Sequence, residues 1–126
     1  GFKGYSAACW GLTASYSVKG YNAHMPSNDH GVITPTAALS SYPYTPEESS
    51  KALKHFYFNL GDSIWGKYGF YDAFSEGENW YPRRYLAIDQ CTITPMIENY
   101  RTNLLWNLFM SHPDVQKGIQ KIQSIK

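Results

Sequence analysis

Apolar residues fall into helical spacing at three places along the chain. Ala52, Leu53, Phe56, Tyr57 and Leu60 repeat at intervals that line one helix face. That run opens on Thr45-Pro46-Glu47-Glu48. Thr45 is placed to cap the helix, Pro46 suits its first turn, and Glu48 completes a capping box. The two acids favour the positive end of the helix dipole. Gly61 is the expected stop, with a further turn over Asp62 to Trp65. The second pattern predicts one long helix from Gln90 or Thr92 to Met110. Ile93, Ile97, Tyr100, Leu104 and Leu108 make its stripe, and Met96, Leu105, Trp106 and Phe109 widen it until the second half is apolar almost all round. Pro95 fits such a helix only in the first turn, where its missing N–H costs least. The third pattern, Val115, Ile119 and Ile122, predicts a helix from Pro113 to about Ile122, with lysines on the other side.

Residues 1–44 read differently. Clusters such as Met25-Pro26-Ser27-Asn28-Asp29-His30-Gly31 break any periodicity. Short extended pieces or a hairpin are expected around Gly20 to Ala23, and a short helix over Thr36 to Leu39 after Pro35. Residues 66–87 form a second irregular stretch, punctuated by Gly66, Gly69, Gly77 and Pro82. The expected fold class is therefore all-α, with three or four helices joined by long aromatic-rich loops and little strand. Loops of this length belong to a functional rim more than to connectors in a compact bundle. The all-round apolar helix wants neighbours on both sides, and the chain supplies few. That points to a piece of a larger helical body, or to an obligate oligomer.

Bulk properties narrow the function classes. A length of 126 residues fits one domain or part of one. The chain begins at Gly1 rather than Met, as a processed or truncated chain would. Charge is nearly balanced, at +1, with no basic block, so nucleic acid is not an expected partner. No apolar run is long enough to span a bilayer and no signal peptide is legible. Cys9 and Cys91 read either as a disulfide in an oxidising compartment or as two unrelated thiols. His24, His30, His55 and His112 show no metal-ligand spacing, so a metal site is not expected. Aromatic residues make up 17% of the chain, and tyrosine leads them. A ring with a polar handle suits a half-wet cleft, and sugars stack their C–H faces on such rings. A tyrosine-rich core or a protein interface would use the same composition.

The stretch YGFYDAFSEGENWY, Tyr68 to Tyr81, sets Asp72 among rings. Asp89 in LAIDQ and Glu98 in MIENY also lie in apolar surroundings, whereas the other seven acids sit in polar loops, caps or helix faces. Burial among rings raises a carboxyl pKa and makes a general acid. A neighbour such as Gln90, Asn99 or Arg101 would instead keep one ionised. Two carboxylates in unlike environments are what glycosidic bond hydrolysis requires. Each acid also has a structural reading. Asp89 precedes a helix and can cap it, Glu98 and Arg101 are spaced as an i,i+3 pair, and Asp72 can shape a turn.

Five segments in order, YSAACWGLTAS (5–15), GVITPTAALSSYPYTPEES (31–49), LGDSIWGKYGFYDAF (60–74), YLAIDQ (85–90) and MIENYRTNLLWNLFMSHPDV (96–115), resemble the C-terminal portion of the glucoamylase-like glycoside hydrolases. That family includes bacterial endo-β-1,2-glucanases, and a related domain occurs in cyclic β-1,2-glucan synthases. Cys91-Thr92 stands where the family usually carries Gly-Pro, and Pro95 where it carries an apolar residue. The resemblance implies an (α/α)6 toroid, of which residues 1–126 are the C-terminal part: 1–44 a rim segment and 45–126 a helical segment. It implies cofactor-free hydrolysis of a glucan oligo- or polysaccharide in the periplasm or outside the cell. Catalytic candidates are Asp72, Asp89 and Glu98. Substrate-binding candidates are Trp10, Tyr71, Asp72, Phe74, Asp89, Gln90 and Arg101, with Tyr71 and Phe74 as sugar platforms. On this reading the rest of the toroid, or self-association, completes a funnel that the chain does not close alone. Two other readings stand beside it, a non-catalytic carbohydrate-binding module and an assembly element that docks through the apolar helix.

Overall fold

The computed structural model describes residues 1–125. Helices dominate it. In chain order the elements are β1 (Ala14–Ser17), β2 (Gly20–Ala23), α1 (Pro35–Ser40), α2 (Pro46–Phe58), α3 (Gly61–Ile64), β3 (Trp65–Gly66), β4 (Gly69–Phe70), α4 (Ala87–Thr102), α5 (Leu104–Ser111) and α6 (Pro113–Gln123). Two small antiparallel hairpins thus join an otherwise helical fold. In the first, Ser15 faces Asn22 and Tyr16 faces Tyr21. Gly20 opens its second strand at φ 110°, a left-handed value that glycine adopts without strain.

The core gathers under α1 and α2. Cys9, Ile33, Ala38, Leu39, Ala52, Phe56, Ile64, Phe70 and Phe74 pack into one cluster. Phe56 supplies the centre, with Phe70 and Phe74 edge-on to it at 6.0 and 5.8 Å, the geometry aromatic rings prefer. Ile33 and Phe74 exchange backbone hydrogen bonds of 2.8 and 2.9 Å, tying the segment before α1 to the segment after β4. Ser49 Oγ donates to the Ala38 carbonyl at 2.7 Å, which lets α2 approach α1 closely while keeping that buried hydroxyl satisfied. On its other side α1 meets the start of α4 through hydroxyls. Thr36 Oγ1 donates to the Asp89 carbonyl at 2.6 Å, and Thr36, Ser40 and Thr92 bond one another at 2.7 to 3.1 Å.

Three local expectations change. The capping box does not form: Thr45 Oγ1 meets the Ser41 carbonyl at 3.2 Å and Ser49 Oγ at 3.1 Å instead. The tight turn that returns the Tyr44 and Thr45 N–H groups to Ser41 places that carbonyl within the hydroxyl's reach. The long helix is two helices. Asn103 turns left-handed, at φ 56° and ψ 19°. Buried Asn99 explains the break, because its Oδ1 accepts from the Leu105 and Trp106 N–H groups at 3.0 and 3.1 Å. A side chain in α4 thereby caps α5, and Asn103 takes a conformation that asparagine tolerates. Pro95 lies well inside α4 rather than in its first turn, since the helix starts at Ala87. Cys9 is buried and Cys91 exposed, and both are free thiols. Among the described residues no helix is long and apolar enough to cross a membrane.

Candidate functional site

Asp72 is held in place from both sides. Its segment leaves β4 and runs buried on both faces from Asp72 to Ser75. The Asp72 N–H donates to the Arg84 carbonyl at 2.9 Å. Its Oδ2 accepts from the Tyr16 N–H of β1 at 2.8 Å, and the residue is 0% exposed. The Arg84 guanidinium lies 5.2 Å from the centre of the Tyr16 ring. A buried carboxylate with one backbone donor is under-solvated, and Asp72 Oδ1 has no donor among the described residues.

Asp89 supplies the missing neighbour. It sits in the first turn of α4 rather than at the cap. The Asp89 carbonyl accepts from Thr36 and Thr92, which fixes this turn against α1. Its carboxyl lies within hydrogen-bonding reach of Asp72. Its Oδ2 is buried and likewise has no N–H donor. A carboxyl this close to Asp72 is harder to ionise than one facing water. Burial first, then the hydrogen bond and charge of Asp72, raise the Asp89 carboxyl to about 6. The helix N-terminus pulls the other way, and burial with Asp72 outweighs it.

Asp89 opens onto a cavity of about 480 Å³. Thr13, Thr36, Ser40, Ser41 and Thr92 give it hydroxyls, and Leu12, Ile88 and Met96 give it apolar wall. On the far side of the first turn of α4 a second cavity of about 630 Å³ is lined by Tyr68, Tyr85, Gln90 and Pro95. The Tyr85 ring lies 5.4 Å from Tyr68 and 5.0 Å from Tyr71. Tyr71 is half-buried, and its hydroxyl crowds Gly66, where any side chain would collide with it. Trp10 is half-buried against the core.

The remaining candidates separate from this pair. Phe74, expected as a sugar platform, is fully buried and stacks on Tyr81 at 6.2 Å, so it serves the core. Gln90 accepts from the Leu86 N–H at 2.6 Å and so closes the start of α4, leaving its buried Nε2 without a partner. Glu98 and Arg101 form a 2.8 Å ion pair, with Thr102 Oγ1 also donating to Glu98. Nine residues of helix, about 14 Å, separate Glu98 from Asp89. Of the three acids in apolar sequence, the fold brings together Asp72 and Asp89 and leaves Glu98 apart. Sequence reasoning missed Thr36, Ser40 and Thr92, whose hydroxyls set the pair's geometry. It also missed the Tyr16 backbone, which no sequence signal marks.

A family model described as "Putative glucoamylase" matches residues 1–113. The exo beta-1,2-glucooligosaccharide sophorohydrolase (non-reducing end) of Parabacteroides distasonis is 59% identical over 128 residues, a match that takes in 100% of this chain and 18% of that protein. The endo-beta-1,2-glucanase from Chitinophaga pinensis, solved with sophorotriose and glucose, superposes with a TM-score of 0.92 at 65% identity, over 95% of this chain and 29% of that one. A beta-1,2-glucanase from Parabacteroides distasonis gives a TM-score of 0.95 at 58% identity, over 99% of this chain and 18% of that one. The chain thus spans less than a third of the length of each of these relatives.

Proposed function

The chain belongs to the glucoamylase-like family, and on that premise we propose that it forms the C-terminal part of a glycoside hydrolase acting on β-1,2-linked glucan. Residues 1–44 make part of the rim of an (α/α)6 toroid and residues 45–126 part of its helical wall. The exposed apolar faces of α5 and α6 pack against the remainder of the toroid. The enzyme works without a cofactor, outside the cytoplasm, and this chain alone is inactive.

The observation that carries the reading is the Asp72–Asp89 pair beside a cavity of hydroxyls. The pair is one catalytic unit and not two. Acid and nucleophile in a retaining glycosidase stand about 5 to 5.5 Å apart, and acid and base in an inverting one about 6.5 to 9.5 Å apart. Carboxyls within hydrogen-bonding reach leave no room for a glycosidic bond between them. Asp89, which faces the cavity, exchanges a proton with the substrate or with water, because a carboxyl raised to about 6 passes between its two protonation states close to neutral pH. Asp72 is the positioning residue that keeps that proton in place. The opposing carboxylate comes from outside these residues. Trp10 and Tyr71 offer half-buried rings for the sugar's apolar face.

Asp89→Asn in the complete protein tests this. It keeps the shape of the site and removes the proton. Turnover on β-1,2-glucan is expected to fall by about 10²- to 10⁴-fold with KM nearly unchanged. Full turnover would overturn the assignment. Glucan binding with no hydrolysis in the unmutated complete protein would instead favour a carbohydrate-binding module. Asp72→Asn is expected to move the pH limb of kcat that reports Asp89, which a purely structural role would leave in place.

A further inference from the structure

Away from the carboxylate pair, the fold brings together three donors that the sequence keeps apart. Cys9 comes from the turn before β1, His55 from α2, and Glu76 from the segment after β4. The Cys9 Sγ, a ring nitrogen of His55 and a carboxylate oxygen of Glu76 all lie within 4.8 Å of one another. Among the described residues this is the one such group of three. We propose that Cys9, His55 and Glu76 bind a divalent cation of the zinc class, with the remaining position open to water.

Four features support the site. The donor set is thiol, imidazole and carboxylate, which selects zinc over calcium or magnesium. Zinc bonds of about 2.0 to 2.3 Å put tetrahedral ligands roughly 3.3 to 3.8 Å apart, so the ring closes with an inward shift of about an ångström. The donors also lack better partners. The Cys9 thiol meets Glu76 Oε1 at a long 3.8 Å, and the buried His55 Nε2 has no hydrogen-bond partner. Packing on Gly4 holds Glu76 there. Its side chain lies across the bare backbone of Gly4, where a Cβ would come within 2.8 Å of it, and Gly4 sits at φ 93°.

Burial, and then the facing Glu76 carboxylate, push the Cys9 thiol up to about 12. Without a cation the thiol therefore keeps its proton. A bound cation would staple the N-terminal turn to α2 and to the loop beyond β4, three segments otherwise joined mainly by apolar packing. No spacing motif announces the site, because Cys9 and Glu76 stand 67 positions apart.

The test strips the complete protein of metal with a chelator and titrates it with Co²⁺ and then Zn²⁺. The expected result is one Co²⁺ per chain, with a near-ultraviolet thiolate-to-cobalt band that Zn²⁺ abolishes. Zn²⁺ should also raise the melting temperature by a few degrees, roughly, as ligation of the native state requires. Cys9→Ser should remove the band, and Glu76→Gln should weaken binding at least about tenfold. Cys9 is buried, so Cys9→Ser is first checked for native near-ultraviolet circular dichroism. Should it misfold, the half-buried Glu76→Gln and His55→Gln decide the matter. Folded protein that takes up neither ion would overturn the proposal. So would uptake that survives Cys9→Ser, or His55→Gln together with Glu76→Gln.

Discussion

Phe56 and Phe74 in the body of the chain are 0% exposed, whereas Leu108 and Phe109 in α5 stand 60% and 65% exposed. Both regions are rich in large apolar residues, and they differ in what the chain supplies to cover them. Around Phe56, three helices, three irregular segments and a hairpin strand converge, and their polar groups are paired by Ser49, Thr36 and the Ile33–Phe74 bridge. Among the described residues α5 meets only the end of α4, the Tyr44 ring 6.3 Å from Trp106, and α6, whose Ile122 is itself 72% exposed. The body is folded against itself. The arm, α5 and α6, has its helices made and capped and its apolar faces left exposed. Local signals suffice to build a helix, but only neighbours can bury it.

The largest effect that sharpens this contrast falls on the body. Phe56→Ala removes the ring at the centre of the core and should cost about 3 to 5 kcal/mol, read as a lower midpoint in urea unfolding of the 126-residue chain. A cost under about 1 kcal/mol, the range of an ordinary surface change, would mean that the body is not the self-contained unit its burial indicates. The next effect falls on the elbow between the two regions. Asn99→Ala leaves the Leu105 and Trp106 N–H groups without their acceptor. A loss of roughly 0.5 to 2 kcal/mol follows from removing a helix cap. Faster amide exchange at Leu105 and Trp106 than at Phe56 would locate the loss in the arm.

These two positions also mark how far the fold was legible in sequence. The helices α1, α2 and α6 were readable, because prolines at 35, 46 and 113 start them and periodic apolar residues follow. The split between α4 and α5 was not. It rests on one amide side chain reaching forward six and seven residues, and an asparagine in a helix carries no mark of that. The acids Asp72, Asp89 and Glu98 stood out by their apolar neighbours, but nothing in the chain showed which two would meet. That choice is made by the Tyr16 backbone and the Thr36 hydroxyl, both on other elements. Phe74 and Tyr71 looked alike as ring platforms. Burial on both faces from Asp72 to Ser75 breaks the alternation that would have told them apart.

A smaller effect tests the carboxylate pair as part of the body. The Asp89 carboxyl lies above its unfolded value of 3.8, at about 6. The folded state therefore holds this proton more tightly than the unfolded chain does. The associated stability is complete below pH 3.8 and is lost as pH rises through about 6. Asp89→Asn removes the penalty that remains above that window. The variant should be more stable than the parent at pH 8 by on the order of 1 kcal/mol, after discounting for the residue's partial exposure. The gain should shrink toward pH 4. A constant difference across that range would mean that folding does not raise the Asp89 carboxyl.

The smallest effect belongs to the arm, and it is informative because it is small. Phe109→Ser should change the stability of the 126-residue chain by less than about 0.5 kcal/mol, since an exposed ring has little burial to lose. The same substitution in the complete protein should cost about 1.5 to 3 kcal/mol, the transfer energy of a ring that has become buried. It is the difference between the two backgrounds that measures what covers α5. If the cost is equal and small in both, the rest of the protein leaves α5 exposed and the arm docks elsewhere. If it is equal and large, the chain covers α5 by pairing with itself, and light scattering on the 126-residue chain would then show a dimer that Phe109→Ser dissolves. A cost that appears only in the complete protein places α5 inside the larger helical body, with the apolar face on its second half packed by helices that this chain does not contain.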